Sequence, residues 1–479
     1  MSTDSCCASM GFLDCVQSRY FSMKRLVLFL CVFALVTSVG GRAQTSEEAL
    51  KQKVEQLERE LQSLKAQVAA LPSSTPAVQA NEVKLETPSE STVAQDEPKT
   101  PSTMQIYGAA QLDLGYDAGA NDPNWFDVVR PTKLPSFRDE FGKEGKTYAG
   151  VRQSRFGVKT STPTRFGDLK TIFEFELFGT GVDAGQTTFR LRHAWGELGQ
   201  IGAGQTWSPF MDPDVFPNSL EYWGPTGMVF FRNVQLRWTP YRKNGSEFMV
   251  ALERPGASAD PGTLAGRVEI ANTKGRFPAP DFSAHYRLSG EHGHVQVATM
   301  VRYIKWDDLA PLDGIRTDGH AIGWGVNVSG NYIFNQKKDT ARLQVVYGEG
   351  IQNYMNDAPV DVAAEVHFGD PSRPFEGKVL PVLGVVAFLD HSWSDRFSSS
   401  IGYSMIDVDN TFLQANNSFA RGHYGIVNLM YYPVKNVMTG GEFQWGQRNN
   451  VRDHWTYDDY RIQFGAKYNF SFNVFGGKQ

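Results

Sequence analysis

The chain has 479 residues, 41% of them hydrophobic, and a net charge of −5 at neutral pH. No stretch beyond residue 40 stays apolar for the roughly 18 residues that a membrane-spanning helix needs, so a helical membrane protein is excluded. The near-balanced charge gives no reason to expect a nucleic-acid partner.

The chain opens with an address. Met23-Lys24-Arg25 is a short basic start, Leu26 to Val36 an apolar run, and Gly41-Arg42-Ala43 a small-residue cleavage site. Residues 1–43 therefore read as an upstream extension and a signal peptide, with Met23 the expected start and Gln44 the first mature residue; a retained signal anchor is the alternative. Cys6, Cys7, Cys15 and Cys31 all precede the cut, so the mature chain would need neither disulfides nor cysteine-bound metal.

Residues 44–71 follow as a coiled coil. Leu50, Val54, Leu57, Leu61, Leu64, Val68 and Leu71 are spaced alternately by four and three. Lys53 can meet Glu58, and Glu60 can meet Lys65, on a parallel neighbour. Val at a with Leu at d leans towards dimers, and a helix packed on its own domain is the alternative. Residues 72–103, rich in Pro, Ser, Thr and Glu, form a flexible linker.

From Met104 to Phe470 the chain alternates with period two. Sixteen strands are expected, at 104–116, 148–160, 169–180, 187–198, 201–207, 228–239, 246–254, 281–290, 294–306, 320–334, 340–351, 378–390, 396–408, 419–432, 436–448 and 457–470, with 471–479 a C-terminal tail. Connections after even-numbered strands are short turns; after odd-numbered strands most are long. That asymmetry is the mark of an outer-membrane barrel with short periplasmic turns. The expected fold is all-β: a 16-stranded antiparallel transmembrane β-barrel preceded by a short periplasmic coiled-coil helix. An even strand count puts both ends of the barrel, and the coiled coil, in the periplasm.

The two faces of the strands differ. Tyr460, Ile462, Phe464, Ala466, Tyr468 and Phe470 oppose Arg461, Gln463, Lys467 and Asn469. In 187–198, Phe189, Leu191, His193 and Trp195 oppose Arg190, Arg192 and Ala194. Trp195, Trp207, Trp238, Trp306, Tyr431 and Trp445 fall at strand ends, as an interfacial girdle requires. Strand 378–390 is apolar on both faces and calls for a cover, from a loop or a subunit. The strand 201–207 is short for a spanning strand.

No nucleophile–base pair, P-loop or Rossmann glycine pattern can be named, so neither an enzyme nor a cofactor is expected. His285, His292 and His294 cluster near one turn; a solvated turn is favoured there over a metal site. The informative set is Arg155, Arg190, Arg192, Arg302 and Arg461, which alternation places on the pore wall. Rings of arginine favour anions. The competing reading pairs them with Glu174, Glu176 and Glu442 across the wall of a general pore. The loop 208–227 carries Asp212, Asp214 and Glu221 and is a candidate constriction, with a plain surface loop as the alternative.

The stretches IYGAAQLDLGYD (106–117), RQSRFGVKT (152–160), GDLKTIFEFELFG (167–179) and FRLRHAWGELGQIGAGQTWSPFMDPDVFPNSLEYWGPTG (189–227) resemble the DcaP-like family of outer-membrane porins. QFGAKYNF (463–470) is similar to the insertion signal of bacterial outer-membrane proteins, with nine residues following it. The resemblance implies a homotrimer in outer-membrane lipid, joined through barrel and coiled coil, that passes small anionic solutes such as dicarboxylates. A low-selectivity porin whose coiled coil tethers the envelope is the alternative.

Overall fold

The computed structural model describes residues 101–311, 314–367 and 369–475. The signal segment, the coiled coil and the linker up to residue 100 lie outside the described residues, as does the end of the expected tail from 476.

Sixteen antiparallel strands form the barrel. They are β1 (Thr103–Asp117), β2 in two pieces (Lys146–Gly150 and Arg155–Thr164), β3 (Gly167–Phe178), β4 (Thr187–Leu198), β5 (Ile201–Trp207), β6 (Arg232–Lys243), β7 (Ser246–Glu253) and β8 (Asp281–Gly290). Then follow β9 (Gly293–Asp308), β10 (Gly319–Phe334), β11 (Asp339–Glu349), β12 (Pro381–Ser394), β13 (Phe397–Val408), β14 (Phe419–Tyr431), β15 (Val437–Asn450) and β16 (Thr456–Phe475). β1 closes the cylinder: it pairs β2 on one edge and β16 on the other, from Met104–Phe475 to Asp117–Arg461. Closure leaves no sheet edge in lipid at this seam. A small sheet of Ala259–Asp260, Val362–Val366 and Phe375–Val379 sits among the long loops.

Loop length alternates as the sequence requires. Short turns at 165–166, 199–200, 244–245, 291–292, 335–338, 395–396 and 432–436 define one rim. The longest connections, 118–145, 208–231, 254–280 and 350–380, all leave the other. Turn chemistry explains the short rim: Asn244-Gly245 and Gly199 hold the left-handed backbone that tight hairpins need.

Four expectations need correction. The last strand does not stop at Phe470; it runs to Phe475, because residues 471–475 keep pairing with the start of β1. The sixth strand starts at Arg232, not 228. Residues 228–231 belong to the preceding loop, where Val229 bridges Met355 and Phe230 N–H bonds Tyr354 O at 3.0 Å. The third correction is in β4. Its register with β3 shifts between Glu174 and Phe175, so Arg192 and His193 are both buried inside. Trp195 then turns inward under the Arg237 guanidinium, at 4.7 Å, and is not part of an outer girdle. Trp207 is likewise interior, packed on His193 and Phe230.

The fourth concerns two of the three histidines: His292 is exposed at its turn, as expected, but His285 and His294 are buried, not solvated. His285 bonds Pro209 O at 3.0 Å and Glu247 at 3.2 Å, and His294 bonds Asp212 at 2.7 Å. They hold the root of the loop 208–231 inside the barrel.

The strand apolar on both faces finds its cover there. Val382, Val386 and Phe388 of β12 join Val346 of β11, Ile406 and Val408 of β13 and Tyr424 and Ile426 of β14 in one buried cluster. Phe210, Met211, Val215, Met228 and Val229 of the loop 208–231 pack against them. The loop's polar backbone meets inner-face amides: Asn327 donates to Phe210 O at 2.8 Å and Gln296 to Met211 O at 3.1 Å. This half of the interior is a packed core.

Candidate functional site

The other half of the interior is charged. β3 presents Glu174 and Glu176, β4 presents Arg190 and Arg192, and β2 presents Arg155. Cross-strand pairing sets Arg155 opposite Glu176, and Glu176 opposite Arg190. Arg190 Nε donates to Glu176 at 2.8 Å; Arg192 donates to Glu174 at 2.6 Å and to Glu176 at 2.7 Å. Arg155 lies 3.6 Å from both carboxylates and stays one-third exposed. Arg232, at the start of β6, comes within 3.8 Å of Glu176. Four guanidiniums thus share two carboxylates, and the wall keeps an excess of two positive charges. Glu442, the other expected partner of the arginines, instead accepts the backbone N–H groups of Leu220 and Glu221, at 2.8 and 2.9 Å.

Aromatic groups from the inward loop complete this wall. Tyr222 donates to Glu176 and accepts from Arg190 at 2.7 Å. Trp223 packs edge-on to Trp125, with Arg130 over its ring at 4.4 Å. Arg130 is already paired, with its Nε 2.9 Å from Asp357. A cavity of about 720 Å³ opens here, lined by Arg130, Arg190, Arg232, Tyr222, Trp223 and Asn356 among others. Arg232 is the least neutralised of its cations: the side chain is 9% exposed and its Nη1 has no hydrogen-bond partner. A guanidinium held this way can fork a carboxylate.

The sequence-derived arginines therefore separate into two groups. Arg155, Arg190 and Arg192 come together at the charged wall. Arg302 and Arg461 face inward but are sealed under loops, so neither lines open space. Arg302 bonds Asp281 at 3.0 Å, Asp361 at 2.7 Å and the carbonyls of Gly350 and Gly256, fastening two long loops. Arg461 donates to Phe126 O at 2.7 Å and fastens the loop 118–145.

The loop acids also differ from expectation. They do not stand opposite Arg190 and Arg192. Asp212 is fully buried on His294, Ser329 and Arg287. Asp214 is half exposed and also pairs Arg287. Asp212, Asp214 and His294 bring three donor atoms within 4.8 Å, but the Arg287 guanidinium already supplies the positive charge there. Glu221 accepts the N–H groups of Val129 and Trp223, both at 3.1 Å, and that of Gly224, and so folds the loop tip. Burial pushes its carboxyl up to about 8 against these donors.

Alternation could not have found Arg232. Asn233 and Gln235 of β6 are buried inward, so a strict period of two puts Arg232 on the outer face. It reaches Glu176 only because the wall ends beside it. Arg130 and Tyr222 lie on loops, where no period operates.

The comparisons with known proteins agree with this architecture. The family model described as DcaP outer membrane protein matches residues 46–470. The chain belongs to the DcaP outer membrane protein family. A crystal structure of the outer membrane channel DcaP of Acinetobacter baumannii matches with a TM-score of 0.65 at 19% identity, covering 78% of this chain and 99% of that one. An anion-selective porin from Comamonas acidovorans matches with a TM-score of 0.48 at 10% identity, covering 77% and 100%. No curated protein matches. Family and fold are those of outer-membrane porin channels.

Proposed function

We propose that this porin is a passive diffusion channel with a preference for small anions, dicarboxylates among them. The observation that carries the reading is the unequal sharing at the wall: Arg155, Arg190, Arg192 and Arg232 surround only Glu174 and Glu176. An excess of fixed positive charge raises the local concentration of anions and lowers that of cations. Arg232 supports a carboxylate ligand in particular, since its Nη1 is buried and unpartnered beside the cavity. The loop 208–231, braced across the interior, narrows the path to the charged side. Its Tyr222 and Trp223, rather than its acids, would then form the narrow edge. The short-turn rim carries both ends of the barrel, which supports a periplasmic position for the coiled coil.

One observation favours a less selective pore: Arg190 and Arg192 are each held within 2.8 Å of a glutamate, which spends part of their field. Single-channel recording in chloride with added dicarboxylates separates the two. A selective channel shows concentration-dependent block or flicker by dicarboxylates and none by sugars of equal size. A general pore shows neither.

A further inference from the structure

Between the charged wall and the short-turn rim the barrel holds another cavity, of about 550 Å³. Lys159, Ser161, Lys170, Ile172, Trp195 and Glu197 line it, and cross-strand register makes them a grid. Lys159 of β2 faces Ile172 of β3, and Ile172 faces Trp195 of β4. One step nearer the rim, Ser161 faces Lys170, and Lys170 faces Glu197. The period of two puts the β2 and β3 members on the inner face of Glu174, and the β4 bulge brings Trp195 and Glu197 to the same side. Lys159 and Lys170 are diagonal neighbours, with backbones about 7–8 Å apart.

The grid is an apolar floor edged by free cations. The Trp195 indole lies against the bare backbone of Gly202 in β5, where a Cβ would come within 2.1 Å of the ring. Arg237 stacks on the same indole at 4.7 Å, so the ring is held in place. The Lys159 ammonium sits 4.6 Å over the Tyr107 ring, whose hydroxyl donates to Glu174 at 2.6 Å. Lys159 and Lys170 are both exposed, and among the described residues neither has a carboxylate within 4 Å. The one acid of the grid, Glu197, is already taken by Arg242 at 3.0 Å.

An occupant must be anionic to meet the two ammoniums, and flat and apolar to cover Ile172 and Trp195. The volume falls within the range of small-molecule sites, about 300–1,000 Å³. A ring bearing a carboxylate meets both demands, whereas an aliphatic dianion leaves the indole bare. The place is separate from the charged wall. Arg155 stands four residues from Lys159 on β2, about 13 Å along the strand, which is too far for a one-ring anion to bridge. We propose that this cavity is a second anion station of the pore, for carboxylates that carry an aromatic ring. Lys159 and Lys170 hold the carboxylate, and Trp195 takes the ring. The inference deepens the channel reading and rests on it only in taking the solutes to be anions.

The test reads chloride current through the full-length protein in planar bilayers as benzoate or cyclohexanecarboxylate is added to both sides. The two have the same charge and nearly the same size, and only benzoate is aromatic. Benzoate should halve the current at about fivefold lower concentration than cyclohexanecarboxylate. Trp195→Leu should remove that gap and leave the cyclohexanecarboxylate value in place, and Trp195→Phe should restore part of it. Lys159→Gln/Lys170→Gln changes two exposed side chains and should raise both values about tenfold. Arg232→Gln, in the other cavity, should leave the ratio of the two values unchanged. No benzoate preference in the native chain, a preference that survives Trp195→Leu, or values unmoved by the lysine double variant overturns the proposal. A cation-selective reversal potential with the benzoate preference intact counts against the channel reading and leaves the station standing.

Discussion

The two halves of the barrel interior are built on opposite principles. On β11–β14 the inner face carries an apolar cluster, and the loop 208–231 packs on it as a second layer. On β2–β4 the inner face is charged and ion-paired, and the same loop offers it aromatic rings, Tyr222, Trp223 and Phe230 among them. The outer face of both halves must be apolar because lipid demands it. The interior is therefore where sequence departs from that constraint, and the departure has two meanings. An apolar interior strand reports a loop anchored on it. A charged interior strand reports the surface left for solutes. The loop's position is a consequence of the first, and the pore's charge a consequence of the second.

The contrast can be broken from either side. The largest effect is expected at the packed half. Phe388→Ala removes a buried ring that packs on Tyr424 and should cost about 3–5 kcal/mol in denaturant unfolding of the purified barrel. Its anion-to-cation permeability ratio should stay unchanged if the two halves act independently. At the charged half, Glu176→Gln removes the carboxylate on which Arg190 and Arg192 converge within 3 Å and which Arg155 and Arg232 approach at 3.6 and 3.8 Å. It should cost about 1–3 kcal/mol of stability and raise anion preference in reversal-potential measurements. Arg232→Gln should do the reverse. It should lower anion preference by about fivefold, corresponding to about 1 kcal/mol, and weaken dicarboxylate block with little loss of stability. The smallest effect is expected for Asp214→Asn. Its carboxylate is half exposed on Arg287, so stability should change by less than about 0.5 kcal/mol and selectivity not at all.

Much of this was legible in the residues. Strand number, loop asymmetry and the inward arginines follow from period two and turn chemistry, and β12 announced its cover by being apolar on both faces. Three things were not legible. The β4 bulge turns His193 and Trp195 inward, and no local residue signals a register shift that only the β3 partner defines. Arg302 and Arg461 share the inward face with Arg190, but long-range loop contacts with Asp361 and Phe126 decide that they are anchors. Arg232 is on the wrong parity altogether and enters the site where the wall ends beside it. The shortness of β5 was visible from the start. Its consequence, an unpaired stretch of β4, needed the register of the neighbouring strands.

The most direct measurement of the central claim is the reversal potential of the reconstituted channel across a potassium chloride gradient, for the native chain and for Arg190→Gln/Arg232→Gln. Two positive charges in excess at the β2–β4 wall with Arg232 of β6 predict a potential of the anion-selective sign, moving towards zero in the double variant. A cation-selective sign in the native chain, or the same potential in both proteins, would contradict it.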